Sequence, residues 1–204
     1  MRKIGESMPD LQHPASSLLL PGRHGAPGPS PVRIVAIRRD IVQVAARKGR
    51  AEDLSCSFRD AFGLDLPVAG RSAAARGLSA LPIQPGAWLI VAPPQGEGAL
   101  ARRLREAGGD AGATVDQSHG RCVLSLAGVG ARDVLARLCR VDLHPSVFGP
   151  GRVAVTPVSN LPCVLHQSDA EPCFEVIVVT TFVGSFIHAL TDAAATTGYE
   201  IPPQ

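Results

Sequence analysis

Asp116-Gln117-Ser118-His119-Gly120-Arg121 is the most polar run beside apolar stretches, and it holds the three side-chain types of an acid–base–nucleophile triad. The spacing works against that chemistry. On a strand, Asp116 and Ser118 share a face while His119 points away, whereas a triad needs its base within hydrogen-bond reach of both neighbours. The run reads instead as a strand end and turn, with Asp116 and Ser118 bonding nearby backbone. An interface or ligand contact is the other reading.

Two glycine pairs stand before helical stretches. Gly128-Val129-Gly130 fails the dinucleotide fingerprint, because Asp133 takes the third glycine place. Gly96-Glu97-Gly98 meets the relaxed form through Ala101, and Asp116 lies about 20 residues past Gly96, where a ribose-binding acid would stand. Ala92-Pro93-Pro94-Gln95 separates that loop from its strand, so it reads as a turn that starts a helix. Neither Lys3 nor Lys48 follows a phosphate-loop pattern. His13, His24, His119, His144, His166 and His188 form no His-x-x-x-His pair. Cys56, Cys122, Cys139, Cys163 and Cys173 form no Cys-x-x-Cys, so no metal site and no disulfide framework is expected. Free thiols in a reducing cytosol are expected. From the residues alone the chain has no catalytic, cofactor-binding or metal group, and a binding or scaffolding role is favoured.

The elements that position these residues come from a chain of 204 residues, 45% hydrophobic and 19% charged. That length fits one large domain or two small fused units, and the apolar content excludes general disorder. The net charge of +2 argues for no nucleic-acid or polybasic membrane surface. The most apolar run, Val176 to Thr191, falls short of the ~20 residues of a membrane span. Leu18-Leu19-Leu20 is too short for a secretory core, and a cytoplasmic location is expected.

Residues 1–31 carry Pro9, Pro14, Pro21, Pro27, Pro29 and Pro31 among Gly and Ser, and read as a disordered or extended tail. The domain is expected over 32–204. Val32–Ile37 and Ile41–Ala46 read as strands, Ala51–Phe62 as a helix ended by Gly63, and 71–83 as one irregular strand. Ala87–Val91 reads as a buried strand and Gly98–Gly108 as a helix. The order then restarts: strands at 113–118 and 121–127, a helix at 131–139, strands at 152–156, 163–167 and 173–179, and a closing helix at 182–196. In both halves a strand, a Gly, a helix and an Asp-Leu…Pro exit follow in order, about 80 residues apart. The expectation is an α+β fold of duplicated β-β-α-β-β-α units with largely antiparallel sheets, the copies spanning about 32–110 and 111–197.

The wording of several segments resembles the gamma subunit family of bacterial heterotetrameric sarcosine oxidase. These are Pro85 to Val91 around Trp88, Val115 to Arg121 with Asp116, Ser118, His119, Gly120 and Arg121, and Leu124 to Gly128. Ala131 to Ala136, Cys139 to Pro145 with Asp142, then Phe148 and Pro150-Gly151 complete the set. The resemblance runs from about Val32 to Thr197. It implies a relative of the folate-binding domain of the glycine-cleavage T protein, a duplicated fold with exchanged strands. It implies partners, the alpha, beta and delta subunits, in a complex that oxidatively demethylates sarcosine to glycine and passes the one-carbon unit to tetrahydrofolate. FAD, FMN and NAD would sit in the large subunits and zinc in the smallest. The matching subunit of N-methylglutamate dehydrogenase is a close cousin, and a free-standing folate-binding or one-carbon-transfer protein is the alternative from another class.

The chain departs from the enzymatic relatives where they keep an Asp-Asp pair. Asn160-Leu161-Pro162-Cys163-Val164-Leu165 stands there, with no acid to handle a proton. Where they keep a Lys-Asp pair, this chain has Val183-Gly184-Ser185. The chain also ends at Gln204, without the further domains that close a folate pocket. The resemblance therefore implies a non-catalytic copy whose motif residues are structural or lie at an interface.

Overall fold

The computed structural model describes residues 14–28, 30–169 and 172–203. A short strand β1 (Gly22–His24) precedes the first unit. That unit runs β2 (Val32–Ile37), β3 (Asp40–Ala46), α1 (Ala51–Phe62), β4 (Ala73–Ala75), β5 (Leu78–Gln84), β6 (Ala87–Ala92) and α2 (Ala99–Gly108). The same order then repeats as β7 (Gly112–Asp116), β8 (Arg121–Ala127), α3 (Ala131–Ala136), β9 (Val153–Val158), β10 (Leu161–Asp169), β11 (Cys173–Val179) and α4 (Val183–Ala194). A last strand, β12 (Tyr199–Ile201), follows.

The strand orders are β4-β5-β6-β3-β7 in one sheet and β9-β10-β11-β8-β2-β12-β1 in the other. Each unit thus lends its first strand to the other's sheet: β2 pairs with β8, and β7 pairs with β3, both antiparallel. The β12–β2 pair is parallel, and the remaining pairs are antiparallel. The fold is α+β with largely antiparallel sheets.

Period-two alternation turns each sheet into a two-sided wall. Ile41, Leu81, Leu89 and Val91 of one sheet meet Val123, Val153, Val164 and Ile177 of the other in one buried cluster. The alternate positions Val42, Val44, Trp88 and Ile90 pack under α1 and α2. Cys122, Leu124, Val176 and Val178 pack under α3 and α4. The layers are therefore helices, sheet, sheet, helices. On α1, Leu54, Phe58 and Phe62 recur every four residues and are buried, which points one stripe inward. Gly63 ends that helix in the left-handed region, its N–H returning to Arg59 O at 2.8 Å.

Four sequence expectations need correction. First, the described part of residues 1–31 is not a loose tail. Ala15 and Leu19 are buried in the core beside α4, and β1 pairs with β12. Ala26 N–H donates to Ala195 O at 2.7 Å. Periodicity misses this segment because its burial surface is supplied by the C-terminal residues rather than by its own pattern; residues 1–13 and Pro29 lie outside the described residues. Second, the 71–83 stretch is a hairpin rather than one irregular strand. Arg76 (φ 48°) and Gly77 (φ 79°) turn the chain between β4 and β5. The first unit accordingly has three strands between its helices, where two were expected, and so matches the three of the second unit. Third, α3 stops at Ala136, because Cys139 leaves the helix to bridge Val158 of β9. Fourth, β12 adds a strand beyond 197, where the second copy was expected to end.

Candidate functional site

Because the first strands are exchanged, the chain crosses between sheets twice, through Arg38-Arg39 and through 117–120. The two crossings lie side by side. Gln117 N–H donates to Ile41 O at 2.7 Å. Ser118 Oγ accepts Ile41 N–H at 3.1 Å and donates to Ile41 O at 3.4 Å. Asp116 Oδ1 accepts Ser118 N–H at 2.9 Å, and Gly120 N–H closes the turn onto Gln117 O at 3.0 Å. Asp116 and Ser118 thus bond backbone, and exposed His119 joins neither side chain. Only its carbonyl is held, by Thr180 Oγ1 at 2.9 Å. The three types form no relay.

Between the crossings lies a cleft of about 280 Å3. Ile37, Val123, Pro94 and Pro14 form its apolar wall, and its polar lining is Arg38, Arg39, Asp40, Ser118, His119 and Arg121. The buried Nε of Arg121 has no hydrogen-bond partner. Burial alone pushes the pKa of this guanidinium down.

A second polar cluster sits between the sheets, and sequence reading missed it. His166 on β10 and Glu175 on β11 are direct cross-strand partners on the inter-sheet face. Arg39 Nη2 holds Glu175 Oε1 at 3.1 Å, and His166 Nδ1 stands 3.6 Å from Glu175 Oε2. Burial pushes the Glu175 carboxyl up, but His166 and Arg39 together outweigh it and leave the carboxyl below its ordinary value. Ser72 Oγ lies 3.0 Å from His166 Nε2 and donates to Gly151 O at 3.2 Å. The order serine, histidine, carboxylate looks like a nucleophile relay. Ser72 Oγ has a backbone carbonyl, Gly151 O, as a competing acceptor for its proton, so it is not committed to His166 as a relay requires. The Nδ1 atom, without a hydrogen bond, is too far from Glu175 to be oriented by it. The cluster clamps the two sheets together. Its one legible signal was Glu175, a lone charge in an otherwise apolar strand.

The remaining motif residues are dispersed. Trp88 packs under α1 and α2 and donates from Nε1 to Pro67 O at 2.7 Å. Gly128 starts the turn into α3. Asp142 Oδ1 accepts His144 N–H at 2.9 Å, shaping the exposed turn that carries Pro145. Gly151, at φ 76°, lets the chain bend so that its N–H reaches Gln167 O and its carbonyl reaches Ser72, joining the two sheets. Arg132 anchors this loop. It donates to Phe148 O at 2.9 Å and Gln167 Oε1 at 2.9 Å, and lies 5.1 Å over the Phe174 ring. Nothing in its spacing singles it out, since its partners are distant in sequence.

Cofactor chemistry finds no cradle among these residues. Among the described residues, no three His, Cys, Asp or Glu side chains converge as a metal would need. Gly96 and Gly98 form a turn whose carbonyls accept Ala99 and Arg102 N–H, starting α2. Burial pushes the Cys163 thiol up to about 12, so it offers no nucleophile on β10. The Ser159-Asn160 turn before it, with φ 49° and 65°, joins β9 to β10 as a plain hairpin.

The four layers with exchanged first strands define a folate-binding-domain-type fold, and among the described residues its polar groups serve as clamps. The glycine cleavage system aminomethyltransferase T from Bartonella henselae shares the fold at TM-score 0.59 and 15% identity, over 85% of this chain and 48% of that one. The sarcosine oxidase, gamma subunit family matches residues 48–196. Sarcosine oxidase subunit gamma of Arthrobacter sp. is 33% identical over 152 residues, 74% of each chain. That of Corynebacterium sp. (strain P-1) is 32% identical over 154 residues, again 74% of each. A chain of heterotetrameric sarcosine oxidase from Corynebacterium sp. U-96 matches at TM-score 0.79 and 27% identity, over 91% of this chain and 96% of that one. This chain belongs to the sarcosine oxidase gamma subunit family. No helix among the described residues is long and apolar enough to cross a membrane.

Proposed function

We propose that this chain is the non-catalytic gamma subunit of a cytoplasmic, flavin-dependent heterotetrameric sarcosine oxidase. In that complex sarcosine is demethylated to glycine and the one-carbon unit passes to tetrahydrofolate. The alpha, beta and delta chains are its partners, and they hold FAD, FMN, NAD and zinc. The likeness over 96% of a chain of such a complex carries the reading. The clamped serine of the inter-sheet cluster and the protonated Cys163 support the assignment of the chemistry to the partners.

Residues of about 32–110 and 111–197 act as the two copies of one scaffold unit. Trp88, Asp116, Ser118, His119, Gly120, Arg121, Gly128, Asp142, Pro145 and Gly151 hold its turns and faces for assembly. Co-expression with the candidate large subunits tests the reading. The chain should co-purify with flavin absorbance, and the complex should oxidise sarcosine faster than N-methylglutamate. A chain that behaves as a monomer with no affinity for flavin subunits overturns it. The opposite substrate preference moves it to the N-methylglutamate cousin.

A further inference from the structure

We infer that the cleft between the two sheet crossings binds a small organic carboxylate with an apolar body. The argument starts from how the cleft's polar groups are used. Arg39 is held by Glu175, and Arg38 is engaged as well. Asp40 Oδ2 accepts Gln95 N–H at 2.8 Å. Ser118 Oγ both accepts from and donates to Ile41. Arg121 differs: among the described residues its side chain makes no ion pair or hydrogen bond, and its Nε is buried.

The side chain is half-buried, and its Nε, cut off from water with no hydrogen-bond partner, is costly to keep charged there. An anion placed on its fork removes that cost, and a carboxylate matches the fork in two parallel hydrogen bonds. The cleft also decides what the carboxylate must be attached to. Its volume of about 280 Å3 equals roughly nine waters at ~30 Å3 each, far more than a carboxylate group fills. Ile37, Val123 and Pro94 make that extra space apolar. A bare phosphate would leave this wall wet, whereas a compact hydrocarbon body would cover it. Arg121 begins β8 and is fixed in register opposite Val179 of β11, so the fork has a rigid mount.

The test titrates the full-length chain with benzoate by calorimetry, with benzamide as the uncharged isostere and inorganic phosphate as the bare anion. Benzoate should bind one per chain, and the other two should bind at least tenfold more weakly. R121Q should fold normally by circular dichroism and lose about 10- to 100-fold in benzoate affinity, the range of a lost charge-assisted pair. R121K, which keeps the charge but not the fork, should lose several-fold and carries the comparison if R121Q fails to fold. Equal benzoate affinity in wild type, R121Q and R121K overturns the inference, as does benzamide binding as well as benzoate. So does an isolated chain indifferent to benzoate whose R121Q variant no longer co-purifies with partner subunits, since the guanidinium then serves a partner's carboxylate. The benzoate titrations need no assembled oxidase, so their outcome stands apart from the proposed function.

Discussion

Leu19 lies in a stretch that composition marks as a loose tail, yet its side chain is 1% exposed and packs in the core beside α4. Leu18 and Leu20, its neighbours, are 46% and 68% exposed. Leu19→Ala removes three buried carbon groups. At ~0.8 kcal/mol each, transfer alone costs about 2.4 kcal/mol, and the residual cavity brings the total to about 3–4 kcal/mol. For a domain of this size each kcal/mol moves the thermal midpoint by about 2–4 °C, so a fall of about 6–16 °C is predicted. Leu20→Ala, on the exposed side of the same turn, should change stability by less than ~0.5 kcal/mol. Thermal unfolding of both variants, followed by circular dichroism in one buffer, makes the comparison. A Leu19→Ala midpoint within 2 °C of wild type, or an equal fall in Leu20→Ala, would refute the docking of this segment.

Two further predictions concern the ionisable groups. Glu175→Gln should cost about 3 kcal/mol at neutral pH, because it leaves Arg39 facing an uncharged partner between the sheets. The folded Glu175 carboxyl lies below its ordinary value, so its contribution is present above the unfolded pKa of about 4.3 and is lost as pH falls through the folded value. Denaturant titrations of both proteins should therefore converge in acid, and a gap that persists there would exclude the charge as its source. Among the cysteines, exposed Cys56 should be alkylated first at pH 8, while Cys163, held as a thiol up to about 12, should react only on unfolding. Mass mapping of iodoacetamide adducts that found Cys163 modified as fast as Cys56 would contradict that burial.

The sequence by itself determined the units whose signals are local. Alternation marked β2, and short apolar runs marked β3, β6, β8 and β11. Spacing of Leu54, Phe58 and Phe62 marked α1, and Gly63 marked its end. The repeat of these signals announced a duplicated α+β fold, and the wording of Val115 to Arg121 announced the family. Tertiary structure alone decided what depended on partners far along the chain. Which sheet β2 and β7 join is a choice between two similar edges, and no local residue encodes it. That exchange brings Arg39 beside Arg121 and sets Ser72, His166 and Glu175 in one cluster from three separate segments. Leu19 and Ala15 were illegible for the same reason: a Pro-rich stretch shows no period, and its burial exists only because β12 and α4 return to cover it. The free fork of Arg121 was equally hidden, since a lack of partners is visible only once every neighbour has been placed.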